Sequence, residues 1–403
     1  MLRPNTIYGL STILLCALLF GLYPLALICA VLLLSAGIAW LWNRWALARV
    51  TYERELDRRR AFPGDEIALV LRVANRKPLP LVALEVRETV PPGLEVIGER
   101  LQPDMNGRLT LRRTTSMRWY EAVVWRYRVR PLKRGAYRLG PVQLEAGDPF
   151  GFYSTTLRVP AQSSLLVYPR PLPLEALGLR PRHPLGDLRA RQLIRDPLRT
   201  VGVRDYHPDD PLKDVHWTAT ARVGTLQTRV YETTTALDVA IFLDLDSFEH
   251  YWHGIDEDLV ERLISAAAAV AQAGAEEGYA VGLYANGAPA EYEQIARLPP
   301  ARSAAQLDRI METLARLTPY SVTSIARVLQ ASAGDVPWGA TILLISAVPA
   351  EATRAALLRL REAGRTIVWL FLGEGPPPEV PGVLVRHAPA SAGFRGRAGR
   401  VSG

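Results

Sequence analysis

Between Tyr206 and Glu232 the sequence reads YHPDDPLKDVHWTATARVGTLQTRVYE, which puts His207, Asp209, Asp210, Asp214 and His216 within ten residues. Imidazole and carboxylate groups at this density have the chemistry of a mixed nitrogen and oxygen metal site, and of acid–base catalysis. A second candidate follows at Glu249, His250 and His253, whose spacing would bring side chains together on a helix. Neither stretch has the His-Glu-x-x-His arrangement that fixes two imidazoles on one helical face, so neither specifies zinc. For the first stretch the leading expectation is a scaffold. Arg204, Asp210 and Arg222 would pair, Tyr206 and Trp217 would pack, and the motif, with His216, would pin neighbouring domains together. Partner docking is the second reading and catalysis the third. For the second stretch the expectation is a surface loop.

Other chemistry has little foothold. There is no Gly-x-Ser-x-Gly elbow, Walker A loop or Gly-x-Gly-x-x-Gly turn. The only cysteines, Cys16 and Cys29, lie in apolar runs, so the polar part of the chain has no thiol nucleophile and no disulfide framework. A triad assembled from separate loops leaves no sequence signature. No catalytic residue is assigned. The net charge of +8 is spread over dispersed arginines rather than one aromatic-interleaved stripe, which argues against nucleic acid as a partner.

The elements that must carry these residues begin with an uncharged run from Pro4 to Asn43. A single helix of that length would reach about 57 Å, nearly twice a hydrocarbon core of about 30 Å. The run breaks at GLYP, residues 21–24, with Pro24 suited to the first turn of a second helix. A transmembrane hairpin is expected over residues 1–43, with spans near 6–22 and 24–42. Arg3, Arg44 and Arg49 would share one face, which the positive-inside rule makes cytoplasmic, at the plasma or inner membrane.

Residues 50–170 alternate apolar and polar positions with period two, punctuated by Pro and Gly. This pattern predicts an immunoglobulin-like β-sandwich. Trp119, Tyr120, Trp125 and Tyr127 are expected as core and cross-strand aromatics. Residues 171–235 form a connector that holds the polar motif. Over 236–374 short apolar runs such as LDVAIFLDLDS alternate with helical patterns, which predicts a doubly wound α/β domain. From 375 the chain turns Pro-rich and then Gly-, Ala- and Arg-rich, the composition of a disordered tail.

This order of elements, with RGAYRLGPVQLEAGDPFGFY (134–153), VYPRP (167–171) and residues 203–232, resembles the bacterial domain of unknown function 58 (DUF58) family. The family pattern falls on Arg204, Tyr206, Asp210, His216, Trp217, Ala221 and Arg222, with Asp209 where glycine is usual. The resemblance implies a C-terminal half similar to von Willebrand factor A domains. It also implies the company of MoxR-type AAA+ ATPases and transglutaminase-like membrane proteins. Von Willebrand A domains hold a divalent cation on an Asp-x-Ser-x-Ser loop, a second-loop Thr and a third-loop Asp. The corresponding residues here are Asp244, Asp246 and Ser247, with Thr323 or Ser324 and then Ser346; Phe248 replaces the last serine of the first loop. Mg²⁺ wants about six oxygens in octahedral array. The set is therefore expected to be degenerate and metal-free, with a Mg²⁺-dependent binding module as the alternative. The expected function is a membrane-anchored, non-enzymatic interaction protein without a cofactor.

Overall fold

The computed structural model describes residues 4–104, 107–179, 195–208, 210–233, 238–249, 254–290 and 294–388. It divides into two units, Met1–Tyr168 and Pro169–Gly403.

The first unit opens with two helices, α1 (Pro4–Leu19) and α2 (Tyr23–Ala46), joined at Gly21, whose φ of +69° suits a residue without a side chain. At 24 residues and a mean hydropathy of 2.4, α2 is long and apolar enough to cross a membrane. At 16 residues α1 is shorter. The helices touch, and Ala17, Ala26, Cys29, Ala36 and Ala39 are buried in this part of the chain; side chains this small let helix backbones approach.

Twelve strands follow: β1 (Val50–Leu56), β2 (Arg60–Ala61), β3 (Ile67–Asn75), β4 (Leu81–Thr89), β5 (Leu94–Val96), β6 (Gln102–Pro103), β7 (Leu109–Met117), β8 (Ala122–Pro131), β9 (Gly135–Leu139), β10 (Val142–Gly147), β11 (Ser154–Val159) and β12 (Ser163–Val167). They form sheets ordered β1-β3-β8-β5, β11-β10-β4-β7-β6 and β2-β12-β9. Every pairing is antiparallel except the short contact of β12 with β2. The period-two pattern works as expected. Ile67, Leu69, Leu71 and Val73 of β3 point inward against Leu84, Val86, Leu144 and Ala146, and their neighbours face out. Ala46, in the last turn of α2, is fully buried in this same core, with Trp42 and Leu47 packed on it. The aromatics divide. Tyr127 is buried and Trp125 packs on the core, but Trp119 is 65% and Tyr120 70% exposed, because both occupy the turn between β7 and β8. The expectation of core packing fails for that pair.

The second unit carries a hairpin, β13 (Arg195–Asp205) with β14 (Gln227–Thr233), and between its strands a short helix α3 (Trp217–Val223). A six-stranded sheet follows: β15 (Asp238–Leu243), β16 (Ala280–Ala285), β18 (Arg297–Ala301), β20 (Thr341–Ser346), β21 (Thr366–Phe371) and β22 (Leu384–His387), in the order β18-β16-β15-β20-β21-β22. Five strands run parallel. Only β18, an edge strand containing Pro299 and Pro300, is antiparallel. Two short strands, β17 (Gly287–Pro289) and β19 (Leu317–Ser321), pair beside it. The helices α4 (Glu257–Glu276), α5 (Ala304–Arg316), α6 (Ile325–Ser332) and α7 (Glu351–Glu362) link the strands. Asp256 caps α4 by accepting from Leu259 N at 3.0 Å, and Val260, Leu263, Ile264, Ala267 and Val270 are buried. From β15 the chain passes to β16 on one side and later to β20 on the other. Open α/β sheets hold their sites at such a switch point. Strand β22 lies inside the stretch whose composition marks it as tail. Its pairing with β21, and the Ala388 N–H donating to the Phe371 carbonyl at 2.9 Å, order it as far as residue 388.

The sandwich also buries charge. Arg54 contacts Glu88 at 2.9 Å, with both side chains about fully enclosed, and Tyr52 Oη donates to Glu88 Oε2 at 2.5 Å. Burial pushes the Glu88 carboxyl up to about 7 against the pull of Arg54. A carboxyl with a raised folded-state pKa contributes stability that is complete below its ordinary value of 4.5 and is lost as pH rises through about 7. Glu88→Gln cannot titrate, so thermal melts of the detergent-solubilised variant should lose part of the parent's downward slope over that window. An unchanged slope would mean that other groups set it.

Candidate functional site

Two places in the second unit gather the residues singled out by sequence. The first is the polar motif, which closes on itself. Arg204 pairs with Asp210 at 2.6 Å, and the other Asp210 oxygen accepts from His207 N at 2.9 Å; the guanidinium holds the Asp210 carboxyl below its ordinary range. His216 is the N-cap of α3, its Nδ1 accepting from Ala219 N at 3.1 Å, which occupies a ring nitrogen that a metal would need. Buried Gln227 ties the ends together. Its carbonyl accepts from His216 N at 2.8 Å, its N–H donates to Thr220 Oγ1 at 3.0 Å, and its side-chain amide donates to Asp205 at 2.5 Å. Gln227 is a structural residue that the sequence reading missed.

The motif's large apolar side chains go the other way. Trp217 is 68% and Leu212 70% exposed, and Val203, Val223, Leu226 and Val230 are uncovered as well. Tyr206 is half-buried and Arg222 is exposed in the last turn of α3. Trp217 is thus not buried. The helix it opens has seven residues, none of them buried. Asp209, His250 and His253 lie outside the described residues, so the second histidine cluster has no structural account.

The second place is the carboxyl end of β15. Asp244 is 2% exposed. Its Oδ1 accepts from Asn286 Nδ2 at 2.7 Å and from Asp246 N at 3.2 Å, and the same amide reaches Asp246 Oδ2 at 3.4 Å. Asn286, fully buried after β16, also accepts from Leu245 N at 2.8 Å through Oδ1, and its backbone carbonyl accepts from Val322 N at 2.8 Å. One residue, through its side chain and its backbone carbonyl, thus joins the β15, β16 and β19–α6 loops. Asn286 was not foreseen either; the only signal for it was a polar residue directly after a buried apolar strand. Gly287 follows because a Cβ there would lie 3.1 Å from the Tyr320 carbonyl and closer still to Leu245.

The remaining residues of the expected cation set are engaged elsewhere or stand apart. Ser346 Oγ accepts from the buried indole of Trp369 at 2.8 Å, and Ser247 Oγ accepts from Asp256 N at 3.1 Å. Ser324 is the exposed N-cap residue of α6 and its side chain caps nothing. Among the described residues no group of three His, Cys, Asp or Glu side chains converges as metal ligands. Two carboxyls sharing one amide do not make a six-oxygen shell, so the residues do not fit Mg²⁺. Burial first, then the Asp246 charge and a hydrogen bond between the two carboxyls, push Asp244 well above the ordinary carboxylate range.

The sign of this shift sets a test. The Asp244 contribution to stability is complete below its ordinary pKa and declines as pH rises through the raised one. Asp244→Asn should therefore melt no lower than the parent at neutral pH and gain on it under alkaline conditions, while millimolar Mg²⁺ leaves both melting temperatures unchanged. Asn286→Ala, which strands the Leu245 N–H and exposes the acids to each other, should cost about 1–3 kcal/mol. Trp217→Ala, an exposed truncation, should stay within about 0.5 kcal/mol of the parent. A larger loss at Trp217 than at Asn286 would reverse the assignment of clamp and surface.

Residues 202–369, from β13 to β21, match the model of the family described as protein of unknown function DUF58. A Bacillus subtilis (strain 168) relative, the uncharacterised protein YeaD, is 22% identical over 233 residues, which are 57% of this chain and 54% of the relative. The chain thus spans about half the length of the curated relative it matches. Solved structures with partial likeness include a CARDB domain from Pyrococcus furiosus in complex with di-metal ions (17% identity, 29% of this chain and 91% of that one, TM-score 0.20). Another is ACE19, the collagen-binding subdomain of an Enterococcus faecalis surface protein (8% identity, 29% and 95%, TM-score 0.19). Scores this low carry no weight for fold or function. The family match falls on the Arg204–Arg222 motif, on both acids of the crevice and on Asn286, so this part of the chain is similar to the DUF58 family.

Proposed function

We propose that this chain is a membrane-anchored, non-enzymatic interaction scaffold whose docking element is the β13–α3–β14 arm. The observation that carries the reading is the division of labour in that arm. Its polar groups satisfy one another, while Leu212, Trp217 and Val223 are each more than 60% exposed. A catalytic motif would hold unpaired polar groups toward a cleft, whereas a docking motif presents large apolar groups on a rigid, internally bonded frame. The arm precedes an α/β half that we read as von Willebrand A-like, with Asp244 and Asp246 at the switch-point crevice where that family binds its cation. Following the DUF58 resemblance, the partner class is a MoxR-type AAA+ ATPase, with a transglutaminase-like membrane protein as a further associate. The hairpin is read as two membrane passes, with Arg3, Arg44 and Arg49 on the cytoplasmic side.

Capture of partners from native membranes, using the full chain as bait, tests the docking element. Trp217→Ala should weaken recovery of the ATPase by more than tenfold, as loss of about 2 kcal/mol at a hot spot does, with the melting temperature unchanged. Undiminished recovery would move the docking surface elsewhere. Orientation is tested separately: alkaline phosphatase fused after Ala48 should be inactive and a fluorescent protein there should glow, and the opposite pair of results would place the sandwich outside the cytoplasm.

A further inference from the structure

The sandwich has two ends, and strand register identifies the one beside α2. Val50, at the start of β1, pairs with Asn75, at the end of β3. Ala74 pairs with Ala122 at the start of β8, Leu81 with Met117, and Gly147 with both Ala83 and Ser154. The loops 75–81, 117–122 and 147–154 therefore all lie at the end where the chain arrives from Ala46. Arg76 N donating to the Arg49 carbonyl at 3.0 Å ties one of them to the helix exit, and α2 itself touches β10 and β11.

These loops carry an unusual load. Trp119 and Tyr120 form the tip of one, and Phe150, 49% exposed, stacks on Phe152 at 5.8 Å in another. Both tips are held rigid from beneath. Buried Asn75 donates through Nδ2 to the carbonyls of Leu79 and Arg118 at 2.9 Å each, and accepts from Lys77 Nζ at 2.9 Å. Buried Asp148 accepts from Phe150 N at 2.7 Å and from Tyr153 N. Polar groups have thus been buried in order to hold aromatic groups out. Arg49, Arg76 and Arg118 are exposed on the same end, with Glu121, which accepts from Arg118 N at 2.5 Å, as the neighbouring acid.

We propose that this end of the sandwich is a bilayer-docking surface, with Trp119, Tyr120 and Phe150 seated in the headgroup layer beside α2 and the three arginines on lipid phosphates. This rests on the reading that the hairpin crosses the membrane. Amphipathic aromatics favour the interface between water and hydrocarbon, and basic side chains there meet anionic headgroups. The patch is continuous with the exit of an apolar helix. Trp40 and Trp45 are exposed on that exit, with the Arg44 guanidinium 5.7 Å from the Trp40 ring centre. Because Ala46 is locked in the sandwich core, the helix and the aromatic tips cannot turn independently. If the helix inserts, the tips are delivered to the headgroups.

The test uses the full chain with Cys16 and Cys29 replaced by alanine, reconstituted in phosphatidylcholine–phosphatidylglycerol vesicles that contain a headgroup nitroxide lipid. A fluorophore is attached at Val82→Cys, beside the aromatic tips, or at Leu132→Cys at the far end of β8, about 30 Å away by strand rise. Vesicle flotation reads insertion and quenching reads docking. Docking predicts quenching at position 82 at least about twofold that at 132, since interfacial groups sit within about 10 Å of the headgroups. It also predicts that Trp119→Ser/Tyr120→Ser/Phe150→Ser, whose side chains are exposed, brings the two positions level while the chain still floats, and that Trp119→Phe keeps the difference. Flotation with equal quenching at both positions overturns the docking surface and leaves the hairpin reading standing. A parent that does not float overturns both.

Discussion

A polar atom that leaves water has to find a partner inside the protein, and in this chain that requirement decides where the loops go. Asn75, Asp148, Gln227 and Asn286 are each at most 5% exposed; the first two and Asn286 bind loop backbone through their side chains, while Gln227 binds the side chains of Asp205 and Thr225. The apolar cores set which strands stack, but they leave the connections free. Four buried polar residues, through side chain and backbone together, then fix four connections: the β3–β4 loop to the β7–β8 turn, the β10–β11 loop, the two ends of the motif hairpin, and the three loops at the carboxyl ends of β15, β16 and β19. What the fold offers to solvent is a consequence of these bonds. Trp119, Phe150 and Trp217 are exposed because the backbone beneath them is held, which is different from exposure at a frayed end.

Much of this architecture was legible in the sequence. Period-two alternation gives β3, β4, β8 and β10, and unbroken apolar runs give β15, β20 and β21, because burial on one face or on both writes a distinct pattern. Asp256 and the acids after it mark the start of α4. The unread parts share one cause. Whether an aromatic in a β-rich stretch lies mid-strand or at a turn depends on register, and shifting a position by a few residues turns a core residue such as Tyr127 into a surface one such as Tyr120. The partnership of Asn286 with Asp244 spans 42 residues and depends on two parallel strands being neighbours, which no local pattern states. The short strands escape for a related reason: β22 forms on the free edge of β21, while β17 and β19, which contain Pro289 and Pro319, pair only with each other.

The crevice at Asp244 illustrates how the same residue types support different chemistry according to burial. Two acids and a serine on one loop are the beginning of a cation site when they are open to a second and third loop. Here the third-loop serine is spent on the Trp369 indole, and the second-loop contact is made by backbone N–H groups of Val322 and Thr323 to the Asn286 carbonyl. With these oxygens engaged elsewhere and Asp244 closed off from water, burial and the Asp246 charge raise the Asp244 carboxyl well above its ordinary range. The amide of Asn286 suits this arrangement. It donates to both carboxyls and accepts from a backbone N–H, bonds that hold whether the acid pair carries one proton or none.

On the readings proposed above, membrane attachment and partner docking would impose opposite demands on exposed apolar groups, and such groups lie in two different places on the chain. Aromatic side chains at the end of the sandwich are flanked by arginine and sit on loops whose polar atoms are already paired, so nothing there competes for water when headgroups replace it. The apolar groups of the motif arm are aliphatic as well as aromatic, and they stand on a two-stranded hairpin, which is marginal without a covering surface. An uncovered hairpin of that kind would be stabilised further by whatever bound it. The physical distinction between the two surfaces lies beneath them: the sandwich end rests on a packed apolar core, whereas the arm is held by its own hydrogen bonds.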